Sequence, residues 1–363
     1  MLTQPESIAE AFLALLRARG ISNFYVNAGT DFAPLVEAYA RLHNVAPEAL
    51  PRPVVAGHEN LSMGMAHGAF LMSGKPQAVM FHVNVGTANA VCGAMNAACE
   101  HVPILICAGR TPIYEAGALG ARNTRVAWAQ EMFDQPALVR ESVKWDYELR
   151  GGLQVEGVVD RALTVAMTAP RGPVYLTLPR EVLAEPMTVD IAPVPSVAVP
   201  SPTRPDADAI AALADRLAAA DFPVISSISS GADPESVPLL ADLCDRFAIG
   251  YVEEQGRYLN LPTDHPLHLG FAFPSAFAAA DVMLFVESDA PWISEFYAPR
   301  PETFIAQAGV DPNFGRIPMR THRSNLAIQC GPVALCKALG EALAARAGQI
   351  APDRRARIAA LAQ

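Results

Sequence analysis

Residues 54–110, VVAGHENLSMGMAHGAFLMSGKPQAVMFHVNVGTANAVCGAMNAACEHVPILICAGR, carry the clearest structural signal in the chain. Short apolar runs in this stretch alternate with longer segments that have helical spacing. Further apolar runs lie on both sides of it, namely FYVNAG, VKWDYEL and GPVYLTLP. Continuous apolar runs suit strands that are buried on both faces, as in a parallel sheet covered by helices. The sequence therefore predicts an α/β fold with doubly wound parallel sheets.

The composition of the 363-residue chain excludes several classes of protein. Because 51% of the residues are hydrophobic, the chain can bury enough apolar surface to fold, and disorder is excluded. The net charge of −10, without a long Lys/Arg run, argues against nucleic acid as a partner. No uncharged apolar stretch is long enough to span a bilayer, and the first residues lack the features of a signal peptide. We therefore expect a soluble, cytoplasmic protein.

A proline-rich segment divides the chain. Residues 184–205, AEPMTVDIAPVPSVAVPSPTRP, are rich in proline, which removes backbone donors and favours extended structure. This segment predicts a linker between a first domain over residues 1–183 and a second α/β domain over residues 206–345. Residues 346–363 are expected to form a helical tail or a further linker.

Six cysteines are scattered through apolar contexts, without the spacing of a metal site. This pattern is typical of reduced thiols in a cytosolic protein, and we expect the thiols to be buried in the core. They are Cys92, Cys99, Cys107, Cys244, Cys330 and Cys336.

Three polar residues follow predicted strands at the edge of the sheet where ligands of open α/β folds bind. Glu59 opens a predicted helix, His82 ends an apolar run before the loop that contains Gly86, and Thr30 ends the first run. Each residue also has a purely structural explanation. Glu59 could interact with the helix dipole, His82 could be a structural hydrogen-bonding residue, and Thr30 could be an ordinary helix N-cap.

Taken together, the motifs resemble a known family. NAGTD, then HEN followed by MAHG, then HVNVGTAN and VPILICAG occur in the order found in thiamine-diphosphate enzymes of the acetolactate synthase and benzoylformate decarboxylase group. The resemblance covers residues 1–183 as the pyrimidine-binding domain. It continues more weakly over the second domain as the Rossmann-like central domain of the same family.

The resemblance implies roles for individual residues. Glu59 matches the glutamate that hydrogen-bonds the aminopyrimidine ring of the cofactor, and Val54, Val55 and Leu61 are expected to provide an apolar setting that raises its pKa. His82 matches a histidine that moves protons near the substrate. The remaining residues to which the resemblance gives a role are Thr30 at the substrate carboxylate, Gly29, Gly86 and Asn89 at the cofactor, and His58 and Gln130 at the substrate.

The resemblance also indicates what this chain lacks. Relatives bind the diphosphate through Mg²⁺ with a GDG motif in a third domain, and this sequence contains no GDG. The expectation is the larger subunit of a split lyase or carboligase that acts on a 2-oxo acid or 2-hydroxy ketone. A second subunit would supply the diphosphate and Mg²⁺ site. A shortened chain and a non-catalytic regulatory or binding paralogue remain alternatives.

Two further expectations concern assembly and the second domain. A homodimer is expected by resemblance, and the small residues of AVCGAMNAACE, residues 90–100, would permit close helix packing either there or within the domain. In some relatives the central domain binds FAD or an adenine nucleotide. Here the loop SSISSGADPES, residues 226–236, could offer amides to a phosphate, but its single glycine is weak evidence, and FAD is not expected.

Overall fold

The computed structural model describes residues 5–188, 190–195, 197–253, 256–271 and 274–361. The chain forms two compact units, residues 1–200 and 201–363. Residues 184–200, which the sequence assigns to a linker, belong to the first unit, because Ile191 is buried in its core and Arg19 donates to the carbonyl of Ala192 at 3.0 Å. The tail belongs to the second unit, where Arg354 and Ile358 are buried.

The first unit is built on parallel strands connected by helices. Its strands are β1 (Asn23–Asn27), β2 (Arg52–Val55), β3 (Gln77–Phe81), β4 (Ile104–Gly109), β5 (Asp146–Glu148) and β6 (Val174–Leu178). Its helices are α1 (Ile8–Ala18), α2 (Ala33–Val45), α3 (Glu59–Ser73), α4 (Val83–Cys99), α5 (Val126–Ala129), α6 (Val155–Met167) and α7 (Arg180–Leu183). Strands and helices alternate along most of this unit, as predicted.

The strand order of the first sheet, in the part of the chain described, is β2-β1-β3-β4-β6-β5, with every pairing parallel. All residues of β3, β4 and β6 are buried, which explains why these strands are continuous apolar runs. The chain reverses its direction of travel across the sheet between β1 and β3. A crevice opens at such a switch point, outside the carboxyl ends of the strands.

The second unit repeats this architecture. Its strands are β7 (Pro223–Ser227), β8 (Gly250–Val252), β9 (Val282–Val286), β10 (Phe304–Gly309) and β11 (Leu326–Gln329). Its helices are α8 (Ala207–Ala219), α9 (Ser236–Phe247), α10 (Pro274–Ala279), α11 (Pro332–Ala344) and α12 (Arg354–Ala359). The described strands pair in parallel in the order β11-β10-β9-β7-β8. The prediction of parallel-sheet α/β domains is confirmed.

The sequence missed β11, which lies at one edge of the second sheet. Of its four residues only Ile328 is buried. The apolar run at residues 326–328 is only three residues long, too short to predict a buried strand.

The small residues of α4 pack within the first unit. A Cβ added to Gly93 would lie 2.5 Å from Met63 Cβ on α3, and Ala94 and Ala97 are fully buried. This contact accounts for the small residues by packing inside the domain. The expectation for the cysteines is wrong at two positions, because Cys92 and Cys99 lie on the exposed face of α4.

Candidate active site at the carboxyl edge of the first sheet

The candidate residues follow consecutive strands along one edge of the first sheet. Glu59 follows β2, Thr30 follows β1 and His82 follows β3, in the spatial order of those strands. Arg110 follows β4 and Arg180 follows β6 at the same edge. Parallel strands bring their carboxyl ends together, so residues distant in sequence gather at this edge.

Glu59 is the first residue of α3 and is only 7% exposed. Its Oε2 accepts a hydrogen bond of 3.0 Å from Asn89 Nδ2 on α4. Its Oε1 lies 3.2 Å from the position that a Cβ would take on Gly86. Because Gly86 has no side chain, the carboxylate can approach the backbone of the first turn of α4. The structure therefore brings together Glu59, Gly86 and Asn89, three of the residues predicted at the cofactor.

The apolar setting expected around Glu59 is only partly present. Val55 is 77% exposed and Leu61 is 54% exposed, whereas Val54 is half-buried. Strand β2 lies at the edge of the sheet, and all of its residues except Val54 are exposed. The burial of Glu59 comes instead from its packing against the start of α4.

His82 forms the best-defined contact of the site. Its Nδ1 lies 2.6 Å from Oδ1 of Asp31, a carboxylate that is only 2% exposed. The hydrogen bond that His82 donates to Asp31 raises the pKa of His82; burial opposes this effect, and the charges of Asp31 and Glu59 add to it. The other oxygen of Asp31 accepts from the backbone N–H of Val83 at 3.2 Å. One carboxylate thus holds both His82 and the residue that begins α4.

The backbone at this point is strained. Val83 has a φ of 36°, and a β-branched residue rarely adopts a positive φ. Such strain persists where the surrounding contacts hold the residue in place, and it is concentrated at functional sites. The hydrogen bond to Asp31 is one of the contacts that hold it.

Two glycines make room for the His82–Asp31 pair. A Cβ on Gly29 would lie 2.8 Å from His82 Cβ, and a Cβ on Gly109 would lie 2.5 Å from Asp31 Cγ. Both distances are shorter than real Cβ contacts. Gly29, which the sequence predicts at the cofactor, therefore makes room for the side chain of His82 in this structure.

A small cleft adjoins His82. Thr30 and Gln130 line it, so the structure brings together these two predicted substrate residues and His82. Thr30 is exposed and opens a short 3-10 turn whose N-cap is Gly29, so the alternative role of Thr30 as an N-cap is wrong. His58 does not line this cleft; it caps α3 by accepting from the N–H of Asn60 at 3.1 Å.

The cleft also contains residues that the sequence analysis missed. Asp31, Arg110 and Arg180 line it. Arg110 forms ion pairs with Glu131, at 3.0 Å, and with Glu148. Both arginines could have been predicted from the sequence, because each follows a predicted strand at the edge where the other candidate residues lie.

The loop of the second unit that could receive a phosphate is internally bonded. Asn260 is fully buried, and its Oδ1 accepts from the N–H of Gly231 at 2.8 Å and from the hydroxyl of Ser230. The amides of Ser230, Ala232 and Asp233 donate to Ser227 Oγ, Ser229 O and Ser230 O. These four amides already have acceptors within the unit.

The described residues contain neither a metal-binding cluster of this kind nor a membrane-spanning helix. No cluster of three or more His, Cys, Asp or Glu side chains in that part of the chain is arranged to hold a metal ion. None of the helices described there combines the length and the apolar character needed to cross a bilayer.

The fold and this edge define a class of protein: an α/β protein with a buried glutamate and a histidine at the switch point of its first sheet. Residues 6–138 match the family described as thiamine pyrophosphate enzyme, N-terminal TPP binding domain. The predicted resemblance is thereby supported for the first unit.

Similar proteins agree with this assignment. The chain is 26% identical to benzoylformate decarboxylase of Pseudomonas aeruginosa over 280 residues, which are 77% of this chain and 50% of that protein. It is 28% identical to sulfoacetaldehyde acetyltransferase of Rhodobacter capsulatus over 364 residues, 96% of this chain and 58% of that protein. Both similarities extend beyond the residues that match the family.

A solved structure shares the fold. The crystal structure of benzoylformate decarboxylase from Polynucleobacter necessarius matches with a TM-score of 0.76 at 19% identity, over 93% of this chain and 61% of that one. The chain thus spans between half and two thirds of the length of the proteins it matches here.

Proposed function

We propose that this chain is the larger subunit of a thiamine-diphosphate-dependent lyase or carboligase that acts on a 2-oxo acid or a 2-hydroxy ketone. In this proposal a second polypeptide supplies the diphosphate and Mg²⁺ site. The observation that carries the proposal is the buried carboxylate of Glu59, which lies beside the first turn of α4.

The residues around Glu59 fit the aminopyrimidine ring of the cofactor. Asn89 holds one carboxylate oxygen, and no donor in the described chain is bonded to the other, Oε1. The absence of a side chain on Gly86 leaves the backbone open beside that oxygen. A carboxyl group in this position can exchange a proton with a ring nitrogen. An amide or an apolar side chain could not.

The other residues supply proton transfer and substrate contacts. When bound, thiamine diphosphate supplies the carbon that attacks a carbonyl and accepts its electrons. His82, whose pKa is raised by Asp31, can hold a proton at Nε2 and deliver it to the substrate. Thr30 and Gln130 line the adjoining cleft and can contact the substrate.

An exposed apolar face supports the proposed partners. Side chains on α3 and α4 are exposed in this chain although they are apolar, and a surface of this kind is typical of an interface. These residues are Leu61, Met65, Leu71, Met72, Val85 and Met95. Leu61 and Glu59 lie in the first turn of α3, and Val85 lies in the first turn of α4. We propose that a second copy of the chain and the diphosphate-binding subunit cover this face.

The test is the binding of thiamine diphosphate with Mg²⁺, measured by isothermal titration calorimetry. The chain is titrated alone and after co-expression with a candidate polypeptide that contains a GDG motif. Binding is expected only in the presence of the partner. Glu59→Gln should weaken it by about tenfold or more, because a hydrogen bond to a charged group is lost. The matched control is Glu48→Gln, an exposed carboxylate of the same unit, which should leave the affinity unchanged.

Two results would contradict the proposal. One is the absence of binding both with and without the partner. The other is equal affinity for the wild type and Glu59→Gln. If the complex binds the cofactor but turns over no 2-oxo acid or 2-hydroxy ketone, the non-catalytic alternative is favoured.

A further inference from the structure

The cleft beside His82 contains one buried cation with an unneutralised charge. Arg110 forms two ion pairs and His82 forms one. Arg180 differs from both, because its hydrogen bonds within the described chain all go to backbone carbonyls. No carboxylate of the described residues lies within 4.0 Å of its guanidinium.

The hydrogen bonds of Arg180 leave part of its guanidinium free. Nε donates to the carbonyl of Gly120 at 2.6 Å, Nη2 to that of Ala121 at 2.9 Å and Nη1 to that of Thr30 at 3.4 Å. A guanidinium has five N–H groups, so two remain without an acceptor among the described residues. Arg180 is only 8% exposed, and it lines the cleft. A buried charge without a counterion is costly, and an anionic ligand would remove that cost.

We propose that Arg180 binds the carboxylate of the substrate in this cleft, beside Thr30 and His82. Arg180 would thereby select a 2-oxo acid over the uncharged 2-hydroxy ketone. The identity of the substrate rests on the function proposed above, whereas the anion site rests on the contacts of Arg180 itself.

The chemistry of the cleft suits a carboxylate. A guanidinium presents N–H groups in a planar fork that matches the two oxygens of a carboxylate. The hydroxyl of Thr30 is exposed in the same cleft and can donate a third hydrogen bond. The charge of a protonated His82 is already balanced by Asp31, so Arg180 supplies the unneutralised positive charge of the cleft.

A purely structural role for Arg180 makes a different prediction. Its bonds to Gly120 and Ala121 hold the loop that follows β4. If holding the loop were its only role, its loss would affect charged and uncharged ligands equally. A role in charge recognition affects only the charged ligand, so a pair of ligands of the same shape separates the two roles.

The experiment compares pyruvate with hydroxyacetone, in which a hydroxymethyl group replaces the carboxylate. Both are titrated into the full chain without cofactor, and binding is followed by NMR of the ligand and of the His82 ring signals. We expect pyruvate to bind and to shift the His82 signals, and hydroxyacetone to bind at least about tenfold more weakly.

Variants then test Arg180 itself. Arg180→Met should weaken pyruvate binding about 30-fold, and Arg180→Lys should restore part of the affinity because it retains the charge without the fork. Arg161→Met, which removes an exposed cation of the same unit, should have no effect. Circular dichroism verifies that each variant is folded. The ligand comparison in the wild type needs no variant, so it tests the proposal even if Arg180→Met does not fold.

Two outcomes would overturn the inference. One is equal binding of pyruvate and hydroxyacetone by the wild type, and the other is unchanged pyruvate binding by a folded Arg180→Met. Failure of the proposed function is a separate result. A chain that selects pyruvate through Arg180 but binds no thiamine diphosphate with any partner would retain the anion site and lose the assigned chemistry.

Discussion

Substitution of Gly109 by alanine tests the geometry that holds His82. The new Cβ would lie 2.5 Å from both Cγ and Cβ of Asp31, while ordinary van der Waals contact begins at 3.4 Å. The side chain of Asp31 must therefore move by about 1 Å. Such a displacement breaks its hydrogen bonds to His82, at 2.6 Å, and to the N–H of Val83, at 3.2 Å.

The magnitude follows from these two hydrogen bonds. A hydrogen bond to a charged group contributes about 1.5–3 kcal/mol, and the N–H of Val83 would be left buried without an acceptor. We expect Gly109→Ala to lower the free energy of unfolding by about 3 kcal/mol. Gly57→Ala is the matched control, because nothing lies within 4 Å of the new Cβ, and its effect should stay within about 0.5 kcal/mol.

The pH dependence identifies the contact that is lost. A raised pKa in the folded state means that His82 contributes stability at pH values below its ordinary pKa of 6.5, and that this stability disappears as the pH rises through the raised value. The difference between wild type and Gly109→Ala should therefore be larger at pH 6 than at pH 9. Urea unfolding gives the free energies, and NMR titration of the His82 ring should show a lower pKa in the variant.

Two results would refute this reasoning. One is a variant with wild-type stability and an unchanged pKa of His82. The other is a loss of stability equal at both pH values, which would attribute the effect to packing alone.

Two further predictions concern the second unit. Arg354 is fully buried and donates to the carbonyls that end α8 and α9, so Arg354→Met should lower the free energy of unfolding in urea by about 4 kcal/mol. The control Arg355→Met removes an exposed ion pair and should lower it by less than about 0.5 kcal/mol. Equal losses in the two variants would contradict this prediction. Burial raises the pKa of Glu287 to about 7. The protonated carboxyl group therefore stabilises the folded state below pH 4.5, and this stabilisation is lost as the pH rises through 7. Glu287→Gln should therefore stabilise the protein at pH 8, by at most about 3 kcal/mol, and have little effect at pH 4.5; a wild-type pH dependence in the variant would contradict this.

Much of the first sheet could be predicted because β3, β4 and β6 are buried on both faces. Burial of that kind requires continuous apolar runs, and the polar residue that ends each run marks the ligand-binding edge. His82 was found by this rule after β3, whereas Glu59 was found after the apolar run of β2, which the structure leaves largely exposed. The rule did not detect β11, which has one buried residue and an apolar run of only three residues.

Other features of the site depend on distant parts of the chain. Asp31 was overlooked beside Thr30, because nothing in NAGTD indicates that its carboxylate faces a histidine 51 positions later. Arg180 reaches the carbonyl of Thr30 across 150 positions. Val55 and Leu61 looked suited to the core, but the edge position of β2 exposes Val55, and Leu61 lies on the exposed side of α3.

The sequence by itself determined the fold class, the strands with buried faces, and the positions of Glu59 and His82 after the runs that form β2 and β3. These properties are local, because they follow from the pattern of apolar residues within each element. The tertiary structure alone decided that Asp31 holds His82, that Gly109 makes room for that contact, and that the charge of Arg180 has no counterion among the described residues. These properties depend on which strands are neighbours, and strand order is set by packing of the whole sheet.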